Sequence, residues 1–408
     1  MAKRTIIVLN DYCHINGGAS RVAIDEAVSL AETGEKVIFF GTNGPICKEL
    51  QNAPLETICL FQPELLNAGK NPAVLAQALW NIDAYNRMKA LLAGLDKTST
   101  VVHLHGYTKS LTTSPVRVAV DKGFPVVCTL HDFFAACPNG ALFDYAKNKP
   151  CPKRGMSLDC IGTNCDKRHY YHKIYRVMRS GVQKAIGKLP GGVMDYITLS
   201  NRSADLLKPY LPKDARYYAL ENLIEVDQTP PVDVAANTSV VAVGRLDIEK
   251  GIEVLLEAAQ QARVELTLVG DGPLRKTAER YPNCRITGWV QPEAVMQELS
   301  KARCLVFPSL WYEAYGLVVA EAAARGVPAI VSAISAAAER VTDGVDGWHV
   351  EAGNAEKLTD LLTLTKNNET ISKAGAAAYN RFWQNPPTRA NHTAGLRSIY
   401  SKILSGRK

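Results

Sequence analysis

Residues 309–328 read SLWYEAYGLVVAEAAARGVP and follow an apolar run that is typical of a buried strand. Gly316 permits a tight turn after that strand, and residues 317–325 then have the pattern of a helix, closed by a glycine and a nearby proline. Glu313 is therefore expected in the loop before the helix, and Glu321 about one turn inside it. A strand, a loop and a helix in this order form the unit from which the fold is predicted.

The same unit recurs throughout the chain. Apolar runs rich in β-branched residues, each followed by a loop and a helical stretch, occur at residues 5–9, 36–40, 56–61, 101–105, 125–130, 196–200, 239–243, 264–269, 284–287, 304–307, 327–331 and 347–350. Strands that are apolar throughout belong in a parallel sheet with helices on both faces. A chain of 408 residues is long enough for two domains. We therefore predict an α/β fold with two Rossmann-like, doubly wound domains that face each other across a cleft.

A polar, proline-containing break at residues 225–238 interrupts this pattern. It indicates a first domain of residues 1–222 and a second domain of residues 223–385, followed by a final segment, residues 386–408. Ligands of doubly wound domains bind at the carboxyl ends of the strands, so the cleft between the domains is the expected active site.

The composition is that of a soluble globular protein, with 47% hydrophobic and 21% charged residues. No apolar run reaches the roughly 18–20 residues that span a bilayer, and the first residues do not resemble a signal peptide, so a cytoplasmic location is expected.

Part of the net charge of +7 lies in residues 169–188, where basic and aromatic residues alternate. On a helix, this segment is suited to the acidic inner face of a membrane, or it is simply a solvated helix face. No nucleic-acid-binding motif accompanies the charge, so nucleic acid is not an expected partner.

The first half carries its polar motifs at strand ends. A glycine pair that includes Gly18 lies between the first strand and its helix, where backbone N–H groups favour an anion or simply form a tight turn. His103 and His105 end a later strand, and His131 follows the next one. We expect these histidines to contact ligand, with the adjacent Asp132 orienting or charging His131.

The second half has a cationic loop directly after its first strand. Residues 244–251 read GRLDIEKG, so Arg245 and Lys250 lie where a strand gives way to a helix. An arginine fork and a lysine point charge suit a diphosphate, although a solvated cationic loop has the same composition. Gly272 lies in a second strand-to-helix turn, and Val290 ends a further strand.

The helix that begins after Gly316 is a second candidate anion site. The backbone N–H groups of Tyr315, Gly316 and Leu317 are expected to point at a phosphate above the helix start. Glu321 is placed to bind the paired hydroxyls of a ribose, although a surface helix residue has the same spacing.

Together these residues resemble the family 4 glycosyltransferases, which are retaining enzymes with the two-domain GT-B fold. The resemblance covers nearly the whole chain and rests on GGA at 17–19, HD at 131–132, GR at 244–245 with KG at 250–251, GDGP at 270–273, GWV at 288–290, and the Glu-x7-Glu pair Glu313 and Glu321. Many relatives carry phenylalanine at the position of Tyr315, and the aromatic ring is kept here.

The resemblance implies transfer of a sugar from a nucleotide-diphosphate sugar to an acceptor, with no metal required for catalysis. The first domain would bind the acceptor, the second the donor, and the final helix, near residues 398–404, would cross back to the first domain. Arg245 and Lys250 would stabilise the departing diphosphate, Glu321 would hold the ribose, and Glu313 and His131 would face the donor sugar. Gly18 would approach the phosphates and the acceptor.

The expected acceptor is a glycan or a lipid-linked glycan in surface polysaccharide or glycolipid biosynthesis. A nucleotide-sugar 2-epimerase shares the GT-B architecture and is the alternative enzyme class. A non-catalytic protein that keeps the fold is a further alternative, although every catalytic position holds the expected residue type.

Four of the ten cysteines lie within residues 137–165, directly after the His131 motif. Cys137, Cys151, Cys160 and Cys165 are suited to a structural zinc site, but they lack the Cys-x2-Cys spacing typical of one. Bound metal, reduced thiols and redox-sensitive disulfides all remain open. In each case the segment, inserted directly after His131, would border the acceptor side of the cleft and is expected to shape acceptor recognition.

Overall fold

A computed structural model describes residues 4–64 and 71–406. The first half of the chain forms a parallel sheet with the order β3-β2-β1-β4-β5-β8-β9. Its strands are β1 (Thr5–Tyr12), β2 (Lys36–Asn43), β3 (Glu56–Cys59), β4 (Thr100–Leu104), β5 (Val126–Thr129), β8 (Asp195–Thr198) and β9 (Arg216–Ala219). A separate antiparallel hairpin consists of β6 (Phe143–Asp144) and β7 (Lys149–Pro150).

The second half forms another parallel sheet, with the order β12-β11-β10-β13-β14-β15. Its strands are β10 (Ser239–Val243), β11 (Leu266–Val269), β12 (Cys284–Gly288), β13 (Ala302–Phe307), β14 (Ala329–Ser332) and β15 (Gly347–Val350). These two sheets confirm the predicted α/β fold class.

Helices cover the faces of both sheets. In the first half they are α1 (Gly18–Glu32), α2 (Lys48–Asn52), α3 (Pro72–Gln77), α4 (Ile82–Ala93), α5 (Ser114–Asp121), α6 (Leu158–Gly162), α7 (Tyr170–Ala185) and α8 (Asn201–Leu207). In the second half they are α9 (Ile252–Gln261), α10 (Arg275–Ala278), α11 (Pro292–Ser300), α12 (Leu317–Ala324), α13 (Ala355–Leu364), α14 (Asn368–Gln384) and α15 (Arg389–Ser405). Short 3-10 helices lie at Lys208–Tyr210, Ile248–Lys250 and Ala336–Arg340.

The central strands form the cores of the two halves. Every residue of β1 is buried, as the continuous apolar pattern predicts, because helices cover both faces of the sheet. The core of the second half extends from Val234 to Ala374 and combines residues of its strands with residues of the helices that cover them.

The strand order determines where the site lies. In each sheet the strands are parallel, and the order in which successive strands are added reverses between β1 and β4 in one half and between β10 and β13 in the other. The loops that leave these strands diverge and open a crevice at their carboxyl ends. The two crevices face each other, which brings the motifs of both halves to one cleft.

The last helix belongs to the second half by sequence but packs on the first. α15 lies against α1, and its Tyr400 hydroxyl is 2.8 Å from His103 Nδ1 at the end of β4. The helix extends from Arg389 to Ser405 and is longer than the predicted stretch around residues 398–404. No helix within residues 4–64 and 71–406 is long and apolar enough to cross a bilayer.

Candidate active site in the cleft

The cleft is lined by residues from both halves. The N-terminal half contributes Gly18, Arg21, Asp25 and His131, and the C-terminal half contributes Gly244, Lys250, Val290, Glu313, Tyr315, Gly316, Leu317 and Glu321. Most of the residues predicted from the sequence therefore meet at one place.

Two helix starts face each other across this cleft. Gly18 is the first residue of α1 and Leu317 the first of α12, and a Cβ added at Gly18 would lie 3.5 Å from Leu317 Cδ1. Each helix begins after a glycine with positive φ, 90° at Gly17 and 87° at Gly316. Neither helix start has a side-chain cap, so backbone N–H groups remain available to an anion.

Lys250 and Glu313 form the charged centre of the C-terminal side. Lys250 Nζ lies 2.6 Å from Glu313 Oε1, and the same oxygen accepts hydrogen bonds from Trp311 Nε1 at 2.7 Å and Ser309 Oγ at 2.9 Å. Burial alone would raise the pKa of Glu313, but Lys250 and the two neutral donors hold it below its usual value. Glu313 is therefore ionised at neutral pH and fixed in position.

Glu321 lies in the second turn of α12 and lines the cleft. Burial raises the pKa of its carboxyl group, and the charge of Arg21 opposes this only in part. Within the described residues its carboxylate forms no hydrogen bond or ion pair. It is therefore available to a ligand, as expected for a group that binds paired hydroxyls.

Tyr315 and Gly316 join the helix start to the segment between the two sheets. The Tyr315 hydroxyl donates to the carbonyl oxygen of Asn222 at 3.2 Å, and the Arg340 guanidinium lies 3.7 Å from the centre of its ring. The hydroxyl of Tyr315 therefore has a structural partner. Gly316 leaves no room for a side chain, since an added Cβ would lie 2.9 Å from Ala337 Cβ.

The remaining predicted donor positions differ in their surroundings. Gly244 and Val290 line the cleft. Gly272 does not, and an added Cβ there would lie 2.4 Å from the carbonyl oxygen of Leu246. The lack of a side chain at Gly272 allows two backbone segments to pack closely, and its role in donor binding stays a prediction.

Arg245 was expected to contact the diphosphate, but its side chain does not line the cleft. Its Nε lies 2.9 Å from Asp247 Oδ2 and its Nη2 2.6 Å from Glu249 Oε1, and about half of its side chain is exposed. Lys167, which follows the four-cysteine segment, pairs with Asp247 and lies 3.6 Å from Glu249 Oε2. The loop of residues 244–251 is therefore tied to the first half of the chain by two carboxylates that the sequence motif did not single out.

His131 faces the cleft, but the other predicted ligand contacts in this half are buried behind it. His103 and His105 are at most 2% exposed and do not line the cleft. His131 Nε2 lies 2.9 Å from His105 Nδ1. Asp132 does not orient His131 as predicted, because its Oδ1 accepts the N–H of Phe134 at 3.0 Å. Burial raises the pKa of Asp132 to about 6.

The four cysteines of the insertion line a single cavity. Cys137, Cys151, Cys160 and Cys165 surround it together with Lys173, whose Nζ lies 3.1 Å from Cys165 Sγ. Among the described residues, no three of these thiols lie within 4.8 Å of one another, and all four are free. Structural zinc therefore stays a prediction.

The basic segment after the insertion forms α7 (Tyr170–Ala185). Two of its cations, Lys173 and Arg179, are buried, and the Arg179 guanidinium donates to the carbonyl oxygens of Thr108 and Pro138. These two residues are thus structural and not part of a membrane-facing surface.

The fold and the cleft define the class of the structure: two Rossmann-like domains in the GT-B arrangement, with two uncapped helix starts at the cleft. Residues 235–381, which include β10 to β15 and the residues around Lys250, Glu313 and Glu321, match the family described as Glycosyl transferases group 1. The match covers about a third of the chain, and over these residues it supports the resemblance seen in the sequence.

Individual proteins support the same placement. O-antigen chain mannosyltransferase C of Escherichia coli is 30% identical over 149 residues, which are 34% of this chain and 40% of the relative. The matched stretch spans less than half the length of the curated relatives that it resembles.

Solved structures are similar over nearly the full chain. Sucrose-phosphate synthase from Thermosynechococcus elongatus has a TM-score of 0.72 and 19% identity, covering 99% of this chain and 100% of its own. HepE of Anabaena, solved in complex with UDP and glucose, has a TM-score of 0.64 and 16% identity, covering 98% and 99%. At these identities the likeness establishes the GT-B fold alone.

Proposed function

We propose that this protein transfers a sugar from a nucleotide-diphosphate sugar to a glycan or lipid-linked acceptor, with retention of configuration. The carrying observation is the group formed by Lys250, Glu313 and Glu321 around the start of α12, with His131 facing it across the cleft. UDP in the related HepE structure and the O-antigen mannosyltransferase among the relatives support this donor class and acceptor class.

The geometry suits departure of a diphosphate. The N–H groups at the starts of α1 and α12 face the cleft, where negative charge grows as the bond from the anomeric carbon to the diphosphate oxygen breaks. Lys250 lines the cleft on the C-terminal side and supplies a positive charge there. Glu321 would bind the ribose hydroxyls, and Glu313, fixed by three donors, would hold the hydroxyls of the sugar.

Retention follows from how the acceptor attacks. The acceptor oxygen forms its bond to the anomeric carbon on the face from which the diphosphate leaves, and its proton passes to a diphosphate oxygen. Glu313 is ionised but engaged by Lys250, Trp311 and Ser309, so it is better suited to positioning the sugar than to forming a covalent intermediate.

Peripheral membrane contact is part of the same proposal when the acceptor is lipid-linked. α7 and the residue that follows it expose Tyr171, Met178 and Ile186, at 66%, 50% and 46%. Exposed basic residues, among them Arg168 and Lys184, accompany these side chains. Co-sedimentation with vesicles of acidic phospholipid tests this contact against vesicles of neutral lipid.

The function is tested with a panel of UDP-, GDP- and ADP-sugars, first without acceptor and then with glycan and lipid-linked acceptors. We expect slow hydrolysis of one donor alone, and faster transfer with retained anomeric configuration, read by NMR of the product, in the presence of a chelator. Interconversion of the donor sugar without acceptor would indicate the epimerase instead.

Two variants connect this activity to the site. Lys250→Ala should lower kcat by about 100- to 1000-fold, the usual cost of removing one group that stabilises developing charge. Lys276→Ala, which removes an exposed lysine of α10, is the matched control and should leave transfer unchanged. Equal activity of the two variants would contradict the assigned site.

A further inference from the structure

A buried chain of polar contacts leads from the cleft through the N-terminal half to the last helix. His131 Nε2 lies 2.9 Å from His105 Nδ1, His105 Nε2 lies 3.4 Å from Glu26 Oε2, and Glu26 Oε1 lies 3.0 Å from His392 Nε2. Glu26, His105 and His392 are each at most 3% exposed. Only His131 among these four residues lines the cleft.

His392, at the end of this series of contacts away from the cleft, determines where the protons of the series lie. His392 Nδ1 is 2.7 Å from the carbonyl oxygen of Glu221, and its Nε2 faces the carboxylate of Glu26. Both partners can only accept, so both nitrogens of His392 carry protons and its positive charge is paired with Glu26. Burial alone would lower the pKa of His392, but Glu26 raises it, and His392 in turn holds the pKa of Glu26 below its usual value despite burial.

His105, in the middle of this series of contacts, is a neutral histidine. Burial lowers the pKa of His105 well below its usual value, so it carries one N–H at neutral pH. Its Nε2 faces Glu26 Oε2, which accepts no hydrogen bond of standard geometry within the described residues, and also lies 3.3 Å from His103 Nδ1. A buried carboxylate oxygen without a donor is costly, so the proton of His105 belongs on Nε2.

His103 is compatible with this assignment. The Tyr400 hydroxyl lies 2.8 Å from His103 Nδ1, and Thr129 Oγ1 lies 2.7 Å from its Nε2. With Tyr400 donating to Nδ1 and Nε2–H donating to Thr129, His103 Nδ1 is an acceptor and does not compete for the carboxylate. The proton on His105 Nε2 therefore faces the Glu26 carboxylate with no opposing donor from His103.

The proton position on His131, the residue of this series that lines the cleft, follows from these assignments. His105 Nδ1 carries no proton, so the hydrogen bond at 2.9 Å must be donated by His131 Nε2–H. We infer that Glu26 and His105 are positioning residues that fix the tautomer of His131, so that its Nδ1 is presented to the cleft as a hydrogen-bond acceptor. Burial lowers the pKa of His131 itself to about 4, which keeps the ring neutral under working conditions.

This inference rests on the proposed function and adds a requirement on the donor. An acceptor nitrogen binds a sugar hydroxyl that donates to it, and it cannot donate to a ring or phosphate oxygen. A donor sugar whose facing hydroxyl is replaced by fluorine or hydrogen should be used less well, because the nitrogen would lose its partner in a water-poor site.

The test is NMR of the full chain labelled with 15N-histidine at neutral pH. Long-range 1H–15N correlation distinguishes protonated from bare ring nitrogens, and the His131 signals are assigned by their loss in His131→Asn. We expect a protonated Nε2 and a bare Nδ1. A proton on Nδ1 would overturn the inference whether or not any variant folds.

Glu26→Gln tests the origin of the tautomer. The amide can donate to His105 Nε2, so the opposite tautomer of His131 should become populated, and discrimination against the fluorinated donor should fall. Glu32→Gln is the matched control, because Glu32 also lies on α1 and its carboxylate is 3.3 Å from Arg389 of α15. An unchanged His131 spectrum in folded Glu26→Gln would refute the positioning role. A protein that turns over no nucleotide-sugar would refute the proposed function but not the tautomer.

Discussion

Replacing Glu321 by glutamine should have opposite effects on stability and on donor binding. The carboxylate lines the cleft without a hydrogen bond or ion pair in the described part of the chain, and burial raises its pKa. An acid whose pKa is higher in the folded than in the unfolded protein destabilises the fold once pH rises above its unfolded pKa. Glu321→Gln should therefore unfold at a higher temperature than the wild type at pH 7.

The pH dependence gives this effect a definite window. The folded protein binds the Glu321 proton more tightly, so stability falls as pH rises from the unfolded pKa near 4.5 through the raised folded value. The difference in melting temperature between the variant and the wild type should vanish below this window and be fully present above it. Differential scanning calorimetry in a pH series measures this.

Binding should change in the other direction. A hydrogen bond to a charged group contributes about 1.5–3 kcal/mol, so losing the carboxylate should weaken nucleotide binding roughly 10- to 150-fold. Isothermal titration with UDP, and with GDP or ADP where these bind more tightly, measures the loss. Glu253→Gln on the exposed face of α9 is the control and should change neither quantity. Wild-type affinity in a stabilised Glu321→Gln would refute the ribose role.

Three further outcomes follow from the site and its surroundings. Tyr315→Phe removes the hydroxyl that donates to Asn222, so the free energy of unfolding should fall by about 1 kcal/mol in denaturant titration, with kcat nearly unchanged. Gly316→Ala places a Cβ at positive φ and 2.9 Å from Ala337, so it should destabilise the protein by about 1–3 kcal/mol and weaken UDP binding; full stability would contradict the geometry of the helix start. If the four cysteines bind zinc, elemental analysis should find about one zinc per chain, and Cys160→Ser should lose it. Ten reactive thiols in unreduced, metal-free protein would instead establish that the cysteines are reduced.

The sequence pattern predicted the fold because its main strands are apolar throughout. β1 and β13 are buried along their whole length, and such runs need a parallel sheet covered on both faces. β9 was missed because it is a short edge strand whose residues are only partly buried. The hairpin of β6 and β7 has two residues per strand, too few to show any period.

The sequence predicted which residues line the cleft better than it predicted which side chains contact one another. The carboxyl ends of parallel strands meet at one edge of a sheet, so glycines and charged residues that follow strands were expected to converge, and they do. Partner choice depends on side-chain directions that spacing does not show. Asp132 is adjacent to His131 in sequence but bonds its own loop, whereas His105, on the neighbouring strand end, reaches the ring.

Charge explains why the helix starts matter in this cleft. In the described part of the chain its lining includes five carboxylates, at Asp25, Glu225, Glu293, Glu313 and Glu321, but two permanently charged cations, Arg21 and Lys250, which are both paired with carboxylates. Side-chain charge alone would therefore repel a diphosphate. Carboxylates suit the many hydroxyls of a sugar and a ribose, while backbone N–H groups bind phosphate oxygens without adding a side chain.

Arg245 completes this argument, because its guanidinium is held outside the cleft lining by Asp247 and Glu249. Lys167 pairs with the same two carboxylates, so it could compensate them if Arg245 turned toward a bound diphosphate. Exchange of one anionic partner for another involves little net change in pairing, whereas a free buried guanidinium would be costly. Lys167, just after the four-cysteine segment, thus connects the first half of the chain to the loop that carries Arg245.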